Sequence, residues 1–217
     1  TNNVKSGDYC GAQVAFGFVF SDEYTSKNTS DEDFVADLYD LFFDREADEA
    51  GYEYWTKLLA DGMTREEVFA GFANSEEFFN LCGEYDVNAG YFILGMDNEK
   101  QGGINGFVAR LYEVCLDREP DYAGHRYWVE LLVNHEISGS GCAFGFVFSE
   151  EFTNKNLSNE DFVNYMYAAF FGREADAEGF EYWVDNMSNG ATQLDVFNGF
   201  IGSEEFANLC AEYGIIA

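Results

Sequence analysis

The chain has 217 residues, enough for one large domain or two small ones that bury a core without disulfides or metal. Its 47% hydrophobic and 24% charged content is a globular mixture and excludes a disordered chain. Forty-one acidic residues against eleven basic ones leave a net charge of -30, which repels phosphate backbones and anionic lipid, and no apolar run approaches the ~18 residues of a membrane span.

In chain order, the first recognisable phrase is FGFVFSDEYTSKN at 16–28. A helix is predicted next, because Val35, Leu38, Tyr39 and Phe42 fall at i, i+3, i+4 and i+7 with Asp37 and Asp40 on the other side. Ser30 with Asp33 has the spacing of a capping box at its start, as Thr64 with Glu67 does further on. Asp48 is placed to cap the helix that carries Trp55, and the phrase GFANSEEF follows at 71–78. The segment 86–106 carries Gly90, Gly95, Gly102 and Gly103 and reads as a linker. Beyond it, Asp121, preceded by Pro120, and later Asp176 repeat the cap ahead of Trp128 and Trp183, and Ser158 with Asp161 repeats the box.

Self-similarity organises these elements. FVADLYDLFFDREADEAGYEYW at 34–55, FVARLYEVCLDREPDYAGHRYW at 107–128 and FVNYMYAAFFGREADAEGFEYW at 162–183 share nine of 22 positions. A shift of 128 residues aligns 14–85 with 142–213 without a gap, with 42 identities in 72 positions. The chain reads as a duplicated pair of units entered partway through a unit, and its start at Thr1, without Met or a signal peptide, as that of an excised or mature segment. No alternating strand pattern competes. The expected fold is all-α, four short helices per unit in two pseudo-repeated lobes, 1–95 and 96–217.

Arg45, Arg118 and Arg173 each precede an Asp by three residues, which reads as an arginine fork tying the loop to the next helix, with an anion site as the alternative. The run DREADEAG alternates acids as a calcium loop does. It lacks the glycine and the bidentate glutamate at the required positions, and Gly172 replaces the first acid in the third copy, so no metal is expected there.

The pattern F-V-x-x-L-Y-x-x-x-x-x-R-E-x-D-x-x-G-x-x-Y-W followed by G-F-x-x-S-E-E-F resembles a helical module of unknown function that recurs in secreted and surface proteins of bacteria. The two acidic, aromatic-rich lobes also resemble the bilobed starch-binding domain of starch-adherence proteins in gut ruminococci. The first resemblance implies a secreted or extracellular, cell-surface location beside fused or associated enzymes or anchoring domains. The second implies α-1,4-glucan, as starch or maltooligosaccharide, for ligand.

A sugar binder stacks the apolar face of a pyranose on a ring the core does not consume and pairs its hydroxyls with Asp, Asn, Glu or Gln. Of the 40 aromatic residues, Trp55, Trp128 and Trp183 recur in every copy, and such repeated rings serve either a core or a site. Position 52 varies between Tyr52, His125 and Phe180, a tolerance of polarity that predicts a partly exposed site one turn from the tryptophan. Phe16, Phe20, Phe144 and Phe148 are expected to cement two units together. Tyr91 and Phe92 either line a cleft or pin the linker.

Among five cysteines, Cys10 with Cys82 and Cys142 with Cys210 are expected close enough to bridge, with Cys115 left in an apolar face and buried free thiols as the alternative. His125 and His135 are the only histidines, no nucleophile has a visible partner, and no phosphate loop or zinc motif occurs. The expectation is a non-catalytic carbohydrate-binding module without cofactor or metal, its candidate ligand-binding residues being Trp55, Trp183, Trp128, Tyr52, Phe180 and His125. The alternative is a protein-interaction or scaffold module of a secreted bacterial surface complex. A hydrolase ranks last.

Overall fold

The computed structural model of the protein describes residues 9–217. Among the described residues there are fourteen α-helices and no strand, so the fold is all-helical as the periodicity predicts. They are α1 (Gly11–Val19), α2 (Asp22–Thr25), α3 (Asp31–Phe43), α4 (Glu49–Ala60), α5 (Arg65–Ala73), α6 (Glu76–Glu84), α7 (Asn98–Leu116), α8 (Tyr122–Val133), α9 (Gly139–Val147), α10 (Glu150–Thr153), α11 (Asn159–Phe171), α12 (Ala177–Ser188), α13 (Gln193–Ile201) and α14 (Glu204–Tyr213). The chain divides into two compact units, Thr1–Gly106 and Phe107–Ala217.

Local chemistry starts and stops these helices. Ser30, Asp48, Thr64 and Ser75 each accept the backbone N–H three residues on, and Ser158, Asp176, Thr192 and Ser203 do so in the second unit. Each such cap contributes about 1 kcal/mol. Glu67 completes the box by accepting from the Thr64 N–H at 2.7 Å, and Asp195 does the same for Thr192 at 2.8 Å. Helix α3 ends on Asp44 at φ 50°, Asp117 follows α7 at φ 52°, and α11 ends on Gly172 at φ 63°. Glycine thus replaces the first acid of the loop where the backbone is left-handed, a conformation that Asp and Gly both tolerate.

In the first unit, α1 and α2 form half a module and α3 to α6 a complete one. The ring of Phe42 is the hub, with Phe78, Phe69 and Phe72 centred 4.7, 5.3 and 5.9 Å away. In the second unit Phe170 repeats this against Phe206, Phe197 and Phe200 at 5.2, 5.7 and 5.7 Å. Each fully buried ring contributes about 1.5–3 kcal/mol. In the module of α7 to α10 the hub position is Cys115, which is fully buried.

The duplicated phenylalanines do join modules within each unit. Phe16 on α1 and Phe20 at its C-terminal cap meet Phe69 on α5 edge-on at 5.6 and 5.5 Å. Phe144 on α9 and Phe148 at its C-terminal cap meet Phe197 on α13 at 5.7 and 5.3 Å.

Residues 86–106 are built into the first unit. The strap after α6 passes beside α1, whose Gly11 and Ala12 N–H groups donate to the carbonyls of Asn88 and Ala89 at 2.8 Å. Asn74 holds Phe92 by both backbone groups, accepting from its N–H at 2.6 Å and donating to its carbonyl at 2.8 Å. The buried Asn105 does the same for Tyr91, and the buried Gln101 accepts from the Ile93 N–H. Phe92 is buried against Phe16 and Phe69, so of the two roles open to it, it pins the strap. From Asn98 the chain is already helical, through Gly102 and Gly103, and Gly102 lies against the Gln13 side chain where a Cβ would not fit.

All five cysteines are free and buried. Cys10 and Cys82 are neighbours, each with its thiol pushed up by burial, to about 11 and about 12. The second unit places its thiols differently. Under the 128-residue shift the counterpart of Cys10 is Ser138, and Cys142, one helical turn further on, has its thiol beside Cys115. The Cys210 thiol instead lies against Gly139.

Candidate functional site

The most regular feature of the molecule is the seat of each Tyr-Trp pair. Helix α4 is held to α3 by Tyr39, whose hydroxyl rests on Gly51 in the first turn of α4, where any Cβ would collide with it. The same Tyr-on-Gly contact joins Tyr112 to Gly124 and Tyr167 to Gly179. The indole of Trp55 lies beside the Tyr39 phenol, lays its benzo edge on Gly71 of α5 and packs on Phe72 at 5.2 Å. Trp128 uses Tyr112, Gly145 and Phe146 in the same way, and Trp183 uses Tyr167, Gly199 and Phe200. All three tryptophans are half-buried wedges between helices. Burial raises the affinity of the Tyr39, Tyr112 and Tyr167 phenols for their proton, and the nearby Asp48, Asp121 and Asp176 add to it.

The arginine of each module closes the other end. The Arg45 guanidinium stacks over Tyr39 at 5.1 Å and forks onto Glu77 of α6 at 3.1 and 3.2 Å, while Asp48 stands off at 3.7 Å. Arg173 repeats this over Tyr167 with Glu205 at 3.0 Å, and Arg118 over Tyr112 with Glu151 at 3.5 Å. The partner predicted from the sequence was the aspartate three residues on. The structure gives the leading role to the second glutamate of Ser-Glu-Glu-Phe, so the fork ties the loop to the last helix of the module. Asp48, Asp121 and Asp176 accept from the N–H of Gly51, Gly124 and Gly179 at 2.9 Å. The Gly179 N–H holds the Asp176 carboxyl below its ordinary range. Among the described residues no three or more His, Cys, Asp or Glu side chains gather as metal ligands would.

What this packing leaves uncovered is the residue before each tryptophan. Tyr54, Tyr127 and Tyr182 are 57%, 56% and 57% exposed, each set edge-on to its indole at 4.9, 5.4 and 4.9 Å. These rings were missed in the sequence, although the Tyr-Trp dipeptide is invariant across the copies. One residue ahead of the tryptophan is 100° around the helix, which turns the tyrosine out where the tryptophan turns in.

The candidates at position 52 separate. Tyr52 and Phe180 are half-buried, as expected of a partly exposed site. His125 is corrected: it is 1% exposed. The position heads the inward stripe of its helix, followed in α8 by the buried Val129 and Leu132, so the compact imidazole sinks where the larger rings reach the surface. Phe180 borders an open cleft of about 780 Å3 lined also by Asn164, Arg173 and Glu174. Small residues make the room: Ala168 and Gly172 stand where the first module has Asp40 and Asp44. Trp55 and Tyr52 share α4 in the first unit; Trp128 and His125 lie on α8, and Trp183 and Phe180 on α12, in the second.

A repeated helix quartet with its own arginine fork and tryptophan wedge defines a tandem helical-repeat protein. The repeat itself is matched by the model of a family described as a domain of unknown function, DUF4214, over residues 15–82, 103–155 and 143–210. The chain belongs to that family. The first and third matches are related by the 128-residue shift and span α1 to α6 and α9 to α14. Comparison with curated proteins gives no match. Among the described residues no helix is long and apolar enough to cross a membrane.

Proposed function

We propose that this protein is a non-catalytic polysaccharide-binding module, with α-1,4-glucan of the starch type as ligand, acting outside the cell or at its surface beside enzymes or anchoring domains. The observation that carries the reading is the set of three equivalent tyrosines, each more than half exposed and fixed edge-on by a neighbouring indole. A ring held in this way offers a pyranose a flat apolar face that is already ordered, so little conformational entropy opposes stacking. Several like sites suit a polymer, because one chain engaging two of them raises its avidity. The net charge of -30 disfavours anionic glycans by long-range repulsion and leaves neutral glucans unaffected. The resemblance to starch-binding domains supplies the α-1,4 linkage. At Phe180 the cleft adds Asn164, Arg173 and Glu174 as partners for sugar hydroxyls.

Affinity electrophoresis in gels cast with amylopectin tests the proposal. The protein is expected to be retarded, and the triple variant Tyr54→Ala, Tyr127→Ala, Tyr182→Ala to run as it does without polysaccharide. Equal migration of the unaltered protein with and without amylopectin rejects the starch reading. A protein-docking reading is favoured by one specific observation, the 66% exposure of Phe18.

A further inference from the structure

The pentapeptide Phe-Gly-Phe-Val-Phe occurs twice, at 16–20 across the end of α1 and at 144–148 across the end of α9, and its two central phenylalanines have opposite fates. Phe146 is 3% exposed; Phe18 is 66% exposed. The pentapeptide is the same in both, so the difference lies in what covers it. Phe146 is covered by Tyr112 at 4.9 Å and Trp128 at 5.1 Å, and Gly145 beside it carries the Trp128 indole. The corresponding glycines of the other modules, Gly71 and Gly199, carry Trp55 and Trp183. Among the described residues nothing lies within 4 Å of where a Cβ on Gly17 would be. A third vacancy accompanies these two. Glu23 aligns with Glu77, Glu151 and Glu205, which hold Arg45, Arg118 and Arg173, and among the described residues no cation pairs with Glu23.

From this we infer that the Gly17, Phe18 and Glu23 face is a docking site for a helix pair of a further module of this same family, one bearing the Tyr, Arg and Tyr-Trp of its pattern. The occupant is specified by complementarity three times over within this chain: an indole for the glycine, a tyrosine ring for the phenylalanine, a guanidinium for the glutamate. A second copy of residues 9–217 is a poor occupant, because Trp55, Trp128 and Trp183 already sit on their own glycines. The inference is independent of glycan binding, since Phe18 lies on α1 and the exposed tyrosines on α4, α8 and α12.

The test extends the chain with its own helix pair. Cys10 aligns with Ser138, so replacing residues 1–9 by a copy of 103–137 keeps the register between tryptophan and glycine. Gly17→Leu is then made in both the parent and the extended protein. In the parent the substitution points into open space and is expected to leave the urea midpoint unchanged or raise it; in the extended protein it is expected to lower the midpoint, and amide exchange over 16–25 to slow only when Gly17 is intact. An equal response to Gly17→Leu in the two backgrounds, or an added segment that exchanges as unfolded chain, overturns the inference. Sedimentation of the parent as a dimer that Gly17→Leu dissociates would assign the face to a second copy and overturn it as well.

Discussion

Gly199 and Gly83 are both helical glycines, and the structure gives them opposite significance. A Cβ at Gly199 would overlap the Trp183 indole, whereas at the exposed Gly83 nothing lies within 4 Å. Gly199→Ala is therefore expected to destabilise the protein by about 1–3 kcal/mol through overpacking. Gly83→Ala is expected to stabilise it by roughly 0.5–1 kcal/mol through reduced unfolded-state entropy. Urea midpoints of the two variants check this, and a shift of the same sign in both would contradict the wedge. The thiols make a second prediction. Burial pushes Cys10 and Cys210 up to about 11 and Cys82 and Cys115 to about 12, above their ordinary value of 9.0. A folded-state pKa above the unfolded one favours the folded state below the unfolded value and ceases to do so as pH rises through the folded value. Stability measured by denaturant titration should hold near pH 8 and fall from about pH 9 towards 11; a flat profile over that window would mean the thiols are exposed in the native state.

Helix starts were legible in the sequence because caps are local: Ser30, Asp48 and Thr64 sit next to the N–H groups they accept from. The strap was not. Its glycines read as a linker, while Asn74 ahead of it and Gln101 and Asn105 in the first turns of α7 bind its backbone by side-chain amides, which no local pattern announces. The glutamate partner of the arginine fork lies 32 residues away at Arg45 and Arg173 and 33 at Arg118, a distance no local pattern reads, although the near-constant interval between copies is a usable signal. His125 departs from the expected exposure because a polar side chain need not face solvent, and its spacing to Val129 and Leu132 puts it on the inward stripe. If the strap is held as described, Asn74→Ala leaves the Phe92 N–H and carbonyl without their partner and costs about 1–3 kcal/mol. Amide exchange over residues 88–97 should accelerate before the rest of the first unit. Unchanged protection there would show that Phe92 packing alone suffices.

Taken whole, the molecule carries 41 acidic and 11 basic residues on two small units, so self-repulsion opposes folding across the entire surface. Its ion pairs, such as Arg45 with Glu77 at about half exposure, contribute little each, about 0–1 kcal/mol, and cannot offset this. Adding salt should therefore raise Tm as the Debye length falls from about 10 Å at 0.1 M; a Tm that drops with salt would mean the arginine forks dominate. Duplication of the fold was legible from the 128-residue identity, while the surface it presents was not, because the same Tyr-Trp dipeptide supplies both a wedge and an outward ring. That outward ring is what the functional account rests on. The most direct measurement is an NMR titration of tyrosine-labelled protein with maltoheptaose. The account predicts ring-resonance shifts at Tyr54, Tyr127 and Tyr182 that saturate, with Tyr39, Tyr112 and Tyr167 unmoved; a spectrum indifferent to the sugar, or shifts confined to the buried tyrosines, would contradict it.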